Sequence, residues 1–502
     1  MSFGLTSRIR ALWLNRPLFS ILLIAALVRI VAAIFAKGYG MFDDHFDVIE
    51  VAQRWVNGHR DWLGQRESVR SLIYPGCHYV FFVGCESLGI TDPQWKMMGV
   101  RFLHAAYSLL TVYFGYKTIR VRTDSDTARL GGLLLAIFWL FPFMAVRNLI
   151  EFVCIPPLLA GFYYLSRDTK RRTRSDLVWA GVLFGLGFVL RYATLPLAGT
   201  VGLVLLFRRE WRAAAYYGGA FLLSVTLIQG MSDWIGYGFP FSSVVAYFSY
   251  NATHSTLYTT GPWYIYILLA IGVFIPPTSL WLLAGYLRTW RRQALLFWPV
   301  LVFLLIHSLF PNKQERFMLP VAPVILVLGV IGWRESERPA ALAGPRQRLF
   351  RFLWVWFWIG NTLLLGLATL TYSKRARVET LTYLSKQPAT RCILVDCPDA
   401  SLPALPFFYL GKELPIFYLH PLQSVADLQA EIARARSPTP THVIFIGNNN
   451  LVERSRRLQA WLPRLKREQT IPASLTDQWL YSLNPKHNVN PPIVVGTTGA
   501  DL

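Results

Sequence analysis

The sequence predicts a polytopic α-helical membrane protein that ends in a soluble α/β domain, and three observations carry that prediction. Of 502 residues, 54% are apolar, 15% aromatic and only 16% charged, against roughly 25% charged in an average soluble domain. Near-continuous apolar runs repeatedly reach the roughly 20 residues that cross about 30 Å of hydrocarbon. After Tyr372 these runs stop, and short β-like stretches alternate with polar, helix-like ones. This pattern excludes disorder, collagen and a disulfide scaffold.

The first run, PLFSILLIAALVRIVAAIFA from Pro17, follows Arg8, Arg10 and Arg16 and reads as an uncleaved signal anchor with its N-terminus inside. The next apolar stretch, 72–90, carries Pro75, His78 and Glu86 and makes a poor span. Charge arithmetic decides its fate. If it does not cross, the basic clusters within 117–129, 167–174, 208–212, 288–292 and 334–351 all fall on one side, and if it crosses they all move outside. It is therefore expected to be a re-entrant or surface helix. That leaves about 11 transmembrane helices, near 17–37, 97–117, 129–146, 150–166, 177–190, 194–207, 213–231, 263–287, 295–311, 317–333 and 349–372. On this topology the segment 38–96, the loop 232–262, the turn 311–316 and everything after Tyr372 lie outside the cytoplasm.

Residues 1–372 thus form a transmembrane module with outside juxtamembrane helices at 38–96, and 373–502 a soluble domain of ordinary size. Its strands are read at CILVD (392), IFYL (416), HVIFIG (442) and PIVVG (492), with a helix at 424–434. No dinucleotide-binding or P-loop signature occurs in it. The five cysteines, Cys77, Cys85, Cys154, Cys392 and Cys397, fit no metal spacing. Cys392 and Cys397 flank an apparent strand of roughly 16 Å, too long for a disulfide.

The net charge of +22 would suggest nucleic acid in a soluble chain. Here the basic clusters sit between apolar runs, where they hold loops in the cytoplasm and meet anionic head groups. Membrane lipids are the expected partners, and no nucleic acid.

Just past the first span, Asp44 with Asp47 three residues on resembles a capping box, and Gly58 is a natural stop. Phe46, Ile49, Trp55 and Val56 form an apolar stripe, so this helix is expected to lie on the membrane surface. Asp43 and Asp44 have two readings: caps that favour the positive end of the helix dipole, or a carboxylate at the outer face able to act as general base. A cation site built with Asp47 is disfavoured, since hard-metal sites usually draw on residues spread along the chain.

Five separated groups of residues carry a family resemblance. They are Met41-Phe42-Asp43-Asp44-His45-Phe46 with Glu50; Arg70-Ser71 with Pro75; Arg147-Asn148 with Glu151; Asp233, Tyr237-Gly238, Pro240, Tyr250-Asn251 and Gly261-Pro262-Trp263 with Tyr266; and Asn312-Lys313-Gln314-Glu315-Arg316-Phe317 with Pro320. In this order they resemble the mannosyltransferases that use dolichol-phosphate mannose in assembling GPI anchors and N-glycan precursors. Those enzymes belong to the C superfamily (GT-C) of integral-membrane glycosyltransferases. The family's leading His-Pro is Met41-Phe42 here and its late His is Asn312, which marks a divergent branch.

The resemblance implies inverting transfer of a hexose, mannose above all, from a polyprenyl-phosphate sugar to a hydroxyl of a glycan, lipid or protein acceptor on the extracytoplasmic face. The arginine-rich composition points to a bacterial inner membrane and a shorter polyprenyl chain. Asp43 is the proposed base, with Asp44 as runner-up, because adjacent residues at a helix start point about 100° apart. Arg316 and Lys313, in a tight turn at head-group depth, with Arg191 and Arg147, are candidates for the donor phosphate. Their alternatives are interfacial snorkelling and, for Arg147, a pair with Glu151. The resemblance assigns substrate contacts to Glu50, Arg70, Asp233, Asn251, Trp263 and Tyr266, although an interfacial aromatic belt also explains the last two. His78, His104 and His307 are isolated. No metal or cofactor is expected, because a monophosphate leaving group carries less charge than a nucleotide diphosphate. The rival readings are a GT-C enzyme for another sugar such as aminoarabinose and a lipid or sugar transporter. A transporter would want ionisable residues deep in its spans and two matching halves, whereas Arg29 and Arg101 are the few mid-span charges and the halves do not match.

Overall fold

The computed structural model describes residues 10–59, 69–169, 171–257, 259–336, 345–398, 404–478 and 491–499. The chain forms two compact units: 1–33, 58–77 and 100–369 in the first, and 34–57, 78–99 and 370–502 in the second.

The first unit is a bundle of apolar helices, and each predicted run coincides with one helix or a broken pair. Two described helical stretches, Pro17–Phe35 and Arg351–Thr369, are by themselves long and apolar enough to cross a membrane, while others such as Tyr192–Phe207 and Ala294–Leu309 are shorter. The run 263–287 is not one helix: Ile265–Val273 and Thr278–Arg288 are bent by 118° at the break between them. Pro276 and Pro277 are the cause, since neither offers an N–H to continue the ladder. Side chains from elsewhere take up the carbonyls that the break releases. The indole of Trp139 donates to Val273 O (3.0 Å) and that of Trp356 to Pro276 O (2.9 Å).

The run 129–146 breaks as well, into Ser125–Ile137 and Leu140–Ala145. Arg29 donates from Nη1 to Ala136 O (2.9 Å) and from Nε to Ser108 Oγ (2.8 Å), and Asn361 bonds both Ile137 O and Trp139 N (2.9 Å each). Irregular backbone at membrane depth persists only where protein groups satisfy it, so this mid-span arginine has a structural task. Two helix pairs approach closely through glycine. A Cβ at Gly181 or Gly185 would lie 2.3 Å from Tyr217 O or 1.9 Å from Ser224 Oγ, and one at Gly332 would lie 2.0 Å from Gly285 O. Small residues at such crossings let backbones touch where lipid supplies no hydrophobic drive.

The connections fall into two groups. At one end Arg122 pairs with Asp168 (2.7 Å), Arg172 with Glu210, and Arg129 donates to Leu14 O (3.2 Å), so the basic connections meet each other. At the other end Thr260 bridges Asn312, and Glu151 meets Arg191 and Arg316. The segment 232–262 is more than a loop, because it holds the helices Met231–Tyr237 and Ser242–Thr253.

The second unit contains a five-stranded sheet in the order β2-β1-β3-β5-β4, with β1 Ile393–Asp396, β2 Ile416–Leu419, β3 His442–Ile446, β4 Lys466–Ile471 and β5 Ile493–Thr497. Strand β1 is parallel to β2 and β3, while β5 is antiparallel to β3 and β4. The four strands read from sequence are β1, β2, β3 and β5. Strand β4 escaped notice because KREQTI is an edge strand with four exposed residues and no apolar alternation. Helix Val425–Arg434 starts with a capping box between Ser424 and Asp427. Leu428 and Ile432 of that helix enter the sheet's core beside Leu394, Val443 and Val494. All five cysteines are free thiols.

The segment after the first span is helical from Phe42 to Val56, with a π-turn at His45–Glu50, and Gly58 follows at φ +86°. The capping box expected at Asp44 is absent. Met41 holds the N-cap position, and Asp44 accepts no cap bond and is 1% exposed. The wider π-turn also shifts the buried stripe to His45, Val48, Ile49 and Ala52. The helix in the ambiguous stretch, Ile73–Ser87, has 15 residues, about 22 Å, short of the hydrocarbon thickness.

Candidate active site

In the first unit, Glu151 lies in the single helical turn Ile150–Val153, is 0% exposed, and faces two guanidinium groups. Arg191 sits in extended backbone between helix Arg174–Leu190 and the 3₁₀ turn Tyr192–Thr194, and its Nη2 is 3.0 Å from Glu151 Oε1. Arg316, in the 3₁₀ turn Glu315–Met318, brings Nε to 3.3 Å from the same oxygen and donates to Gln314 Oε1 at 2.7 Å. Both guanidiniums lie over the Phe317 ring, at 5.3 and 6.0 Å. The sequence leaves open a pair of Glu151 with Arg147 as the alternative to Arg147 at the donor phosphate. Leu149, between the two, is extended (φ −139°, ψ 111°). Arg147 is buried with its guanidinium 4.6 Å from the Phe143 ring.

The turn that carries Arg316 is held by the neighbouring motif residues. Lys313 Nζ donates to His307 O (3.0 Å), Ser308 O (2.9 Å) and Phe310 O, which uses all three ammonium donors to cap the C-terminus of helix Ala294–Leu309. Burial lowers the pKa of this lysine. Tyr266 is buried, and its hydroxyl exchanges 3.3 Å contacts with Gln314 O and N, while its ring packs under Lys313. Trp263, at 62% exposure, remains at the surface.

Asp233 is likewise committed. Its Oδ1 accepts from Gln229 Nε2 (2.7 Å), and its Oδ2 from Ser243 N (3.0 Å) and Oγ (2.7 Å), at the start of helix Ser242–Thr253. Ser71 donates to Gln229 Oε1 (2.8 Å), and Tyr192 bonds Ser243 Oγ (2.7 Å). The Arg70-Ser71 motif, the Asp233 motif and the turn after Arg191 are thereby joined, with Arg70 half-buried. Gln229 and Ser243 were missed, although a glutamine at the end of an apolar run was a legible signal. Asn251 Nδ2 donates to Tyr247 O (2.8 Å). His104 is not isolated: its Nε2 lies 3.0 Å from Tyr74 Oη, which also bonds Asn148 Oδ1.

In the second unit, Asp43 is half-buried and Asp44 buried, side by side at the start of the helix. His45 stacks between Tyr39 (4.7 Å) and Tyr409 (5.7 Å), 3.7 Å from Glu50. Burial holds its imidazole down at about 3, hence neutral, with Lys374 adding to the effect. Glu50 Oε1 accepts from Phe408 N at 3.2 Å. Burial raises its carboxyl to about 7, against the opposing backbone donors of Phe408 and Phe407. Glu50 therefore ties the aspartate-bearing helix to the 3₁₀ turn Phe407–Leu410. Among the described residues, no three or more His, Cys, Asp or Glu side chains are grouped to hold a metal ion.

Comparison with known proteins supplies the context. The Alg9-like mannosyltransferase family matches residues 20–397. The mannosyltransferase APTG1 of Arabidopsis thaliana is 21% identical over 88% of this chain and 86% of its own. GPI mannosyltransferase 3 of Yarrowia lipolytica is 22% identical over 80% and 77%. Among solved structures, ArnT from Cupriavidus metallidurans bound to undecaprenyl phosphate superposes with a TM-score of 0.62, at 15% identity over 96% of this chain and 97% of that one. The Archaeoglobus fulgidus oligosaccharyltransferase reaches 0.53 at 11% identity, over 85% and 68%. These structures share the GT-C fold of membrane glycosyltransferases. With that fold and a family match across most of its length, the chain is a multi-pass membrane glycosyltransferase and belongs to the Alg9-like mannosyltransferase family.

Proposed function

We propose that the enzyme moves a hexose, mannose by its family, from a polyprenyl-phosphate sugar to an acceptor hydroxyl with inversion, on the extracytoplasmic face. The observation that carries this reading is the buried cluster in which two guanidiniums, Arg191 and Arg316, converge on the one carboxylate of Glu151. Such a site suits a departing phosphate, because preorganised cations stabilise charge where it develops. The undecaprenyl phosphate of the ArnT structure supports the lipid class.

Asp43 is the base in this reading. It takes the acceptor proton as the new bond forms at the anomeric carbon and the phosphate leaves from the opposite face. Its partial exposure suits a group that an acceptor must reach, whereas Asp44 is buried. Arg147 remains a candidate for the phosphate, and Arg70, Asn251 and Trp263 for the sugar or acceptor. Asp233, Tyr266 and Glu50 act as positioning residues. The side assignment is supported by the gathering of the basic connections at one end of the first unit, as residues retained in the cytoplasm would be. The arginine-rich composition supports a bacterial inner membrane.

The test is transfer from synthetic polyprenyl-phosphate mannose by purified protein. Asp43→Asn is expected to lower turnover about a hundredfold or more while donor binding persists, and Asp44→Asn to cost less. Near-wild-type turnover of Asp43→Asn would remove it as the base. No turnover of this donor by the wild type with any hydroxyl acceptor of the family would overturn the donor class.

A further inference from the structure

We infer that Lys374, in the connection after the last span, is a positioning residue for the catalytic base: together with Ser373 it fixes the backbone that leads into Asp43. The inference rests on the reading of Asp43 as that base. Both partners lie in the second unit, within 34–57 and 370–502. Neither 37–40 nor 373–374 belongs to a motif group, and the proposed transfer gives them no part.

The approach to Asp43 is closely held. Ser373 N donates to Lys37 O at 3.0 Å, and Gly38 and Ser373 form a parallel bridge. Gly38 has φ +81°, and a Cβ there would lie 1.9 Å from Ser373 O, so a residue with a side chain does not fit this approach. Lys374 Nζ then donates to Gly40 O. The same ammonium lies 4.1 Å over the ring of Tyr39, a cation–π contact that strengthens as water is excluded. Tyr39 is 3% exposed, donates its hydroxyl to Ala404 O (3.2 Å) and stacks on His45, two residues past Asp43. Met41, at the N-cap position, makes no side-chain bond to the first turn. The orientation of Asp43 is therefore set by the fixings at 37–40 before it and at His45 and Glu50 after it.

A second observation comes from the backbone of Lys374 itself. It adopts φ +54°, ψ 38°, the left-handed region that residues with a Cβ enter at a cost. Such a conformation persists where the surrounding contacts over-determine it. Here it is the point at which the chain turns into helix Arg375–Ser385 while the ammonium reaches back to Gly40 and Tyr39. Tyr372 steadies the turn from its other side, donating to Glu379 Oε1 at 2.7 Å. A general base must lie within hydrogen-bond reach of the proton it takes, and a displacement of about 1 Å is enough to lower a rate by about a hundredfold. Loosening 37–40 therefore acts on turnover through Asp43.

The experiment uses full-length protein carrying Lys374→Met, Lys374→Arg or Asp43→Asn, and the double variant Lys374→Met/Asp43→Asn. Amide hydrogen exchange across 38–46 is expected to quicken about fivefold or more in Lys374→Met and to return towards wild type in Lys374→Arg. In transfer from polyprenyl-phosphate mannose, kcat of Lys374→Met should fall about tenfold or more with the donor KM within about twofold, and Lys374→Arg should recover most of it. The double variant should be no slower than Asp43→Asn alone, because a residue that acts through the base has nothing left to position. Arg375→Gln, at an exposed neighbour, is the control for loss of a charge. Should Lys374→Met not fold, Lys374→Gln is read in the same way. Unchanged exchange across 38–46, wild-type kcat in Lys374→Met, or losses that multiply in the double variant would overturn the inference. Normal turnover by Asp43→Asn is a different outcome: it removes the base, and with it this role of Lys374, whatever the exchange shows. If the wild type does not use this donor, the exchange arm decides alone.

Discussion

Glu151→Gln keeps the shape of a fully buried side chain and removes its charge from between Arg191 and Arg316. At separations of 3.0 and 3.3 Å, each contact is worth about 5 kcal/mol of direct attraction at an effective dielectric constant of about 20. Desolvation of the three groups cancels much of this. The measurable quantity is therefore the cost of leaving buried cations without their carboxylate, about 3–5 kcal/mol. Membrane proteins of this size unfold irreversibly, so the assay is the rate of heat inactivation in detergent. If the contact is lost before the unfolding barrier, inactivation accelerates about a hundredfold to several thousandfold. A second arm connects stability to function. Added polyprenyl phosphate supplies an anion and is expected to protect Glu151→Gln more than the wild type. Inactivation within about twofold of wild type would refute the charge argument, and equal protection of both proteins would separate these arginines from the phosphate.

Two further outcomes follow from the same geometry. Because burial raises the Glu50 carboxyl from 4.5 to about 7, its contribution to stability is fully present below about pH 4.5 and lost as pH rises through about 7. Heat stability of the wild type should fall across that window by at most about 3 kcal/mol, and Glu50→Gln, which keeps an acceptor for Phe408 N, should flatten the fall; an unaltered profile contradicts it. Lys313→Met removes the cap from helix Ala294–Leu309 and is expected to cost about 1–2 kcal/mol with the donor dissociation constant unchanged. A weakened donor affinity at normal stability would return Lys313 to the phosphate.

What the sequence disclosed followed from local rules. Strands β1, β2, β3 and β5 are short runs rich in β-branched and aromatic residues, and the alternation of charge marked the ends of the helices. What it concealed depended on distant partners. Pro276-Pro277 signalled a break, but only the indoles of Trp139 and Trp356 make that break tolerable inside the bundle. Arg29 looked like an unexplained mid-span charge until the carbonyls at 135–136 came into reach. Strand β4 had no apolar pattern to read, because an edge strand can be polar on both faces.

The same reasoning sorts the motif residues. Motif order indicates which positions matter, and it cannot distinguish a group that holds substrate from one that holds the protein. Hydrogen-bond capacity can. An ammonium has three donors, and those of Lys313 end on helix carbonyls. Both Asp233 oxygens accept bonds that fasten Gln229 and the start of helix Ser242–Thr253. Tyr266 gives its hydroxyl to the backbone of Gln314 and is sealed from solvent. All three residues steady the turns beside Arg316 and Arg191. Those guanidiniums, by contrast, converge on a single carboxylate oxygen of the buried Glu151, which is why the proposed phosphate site is placed on them and not on the residues that steady the turns.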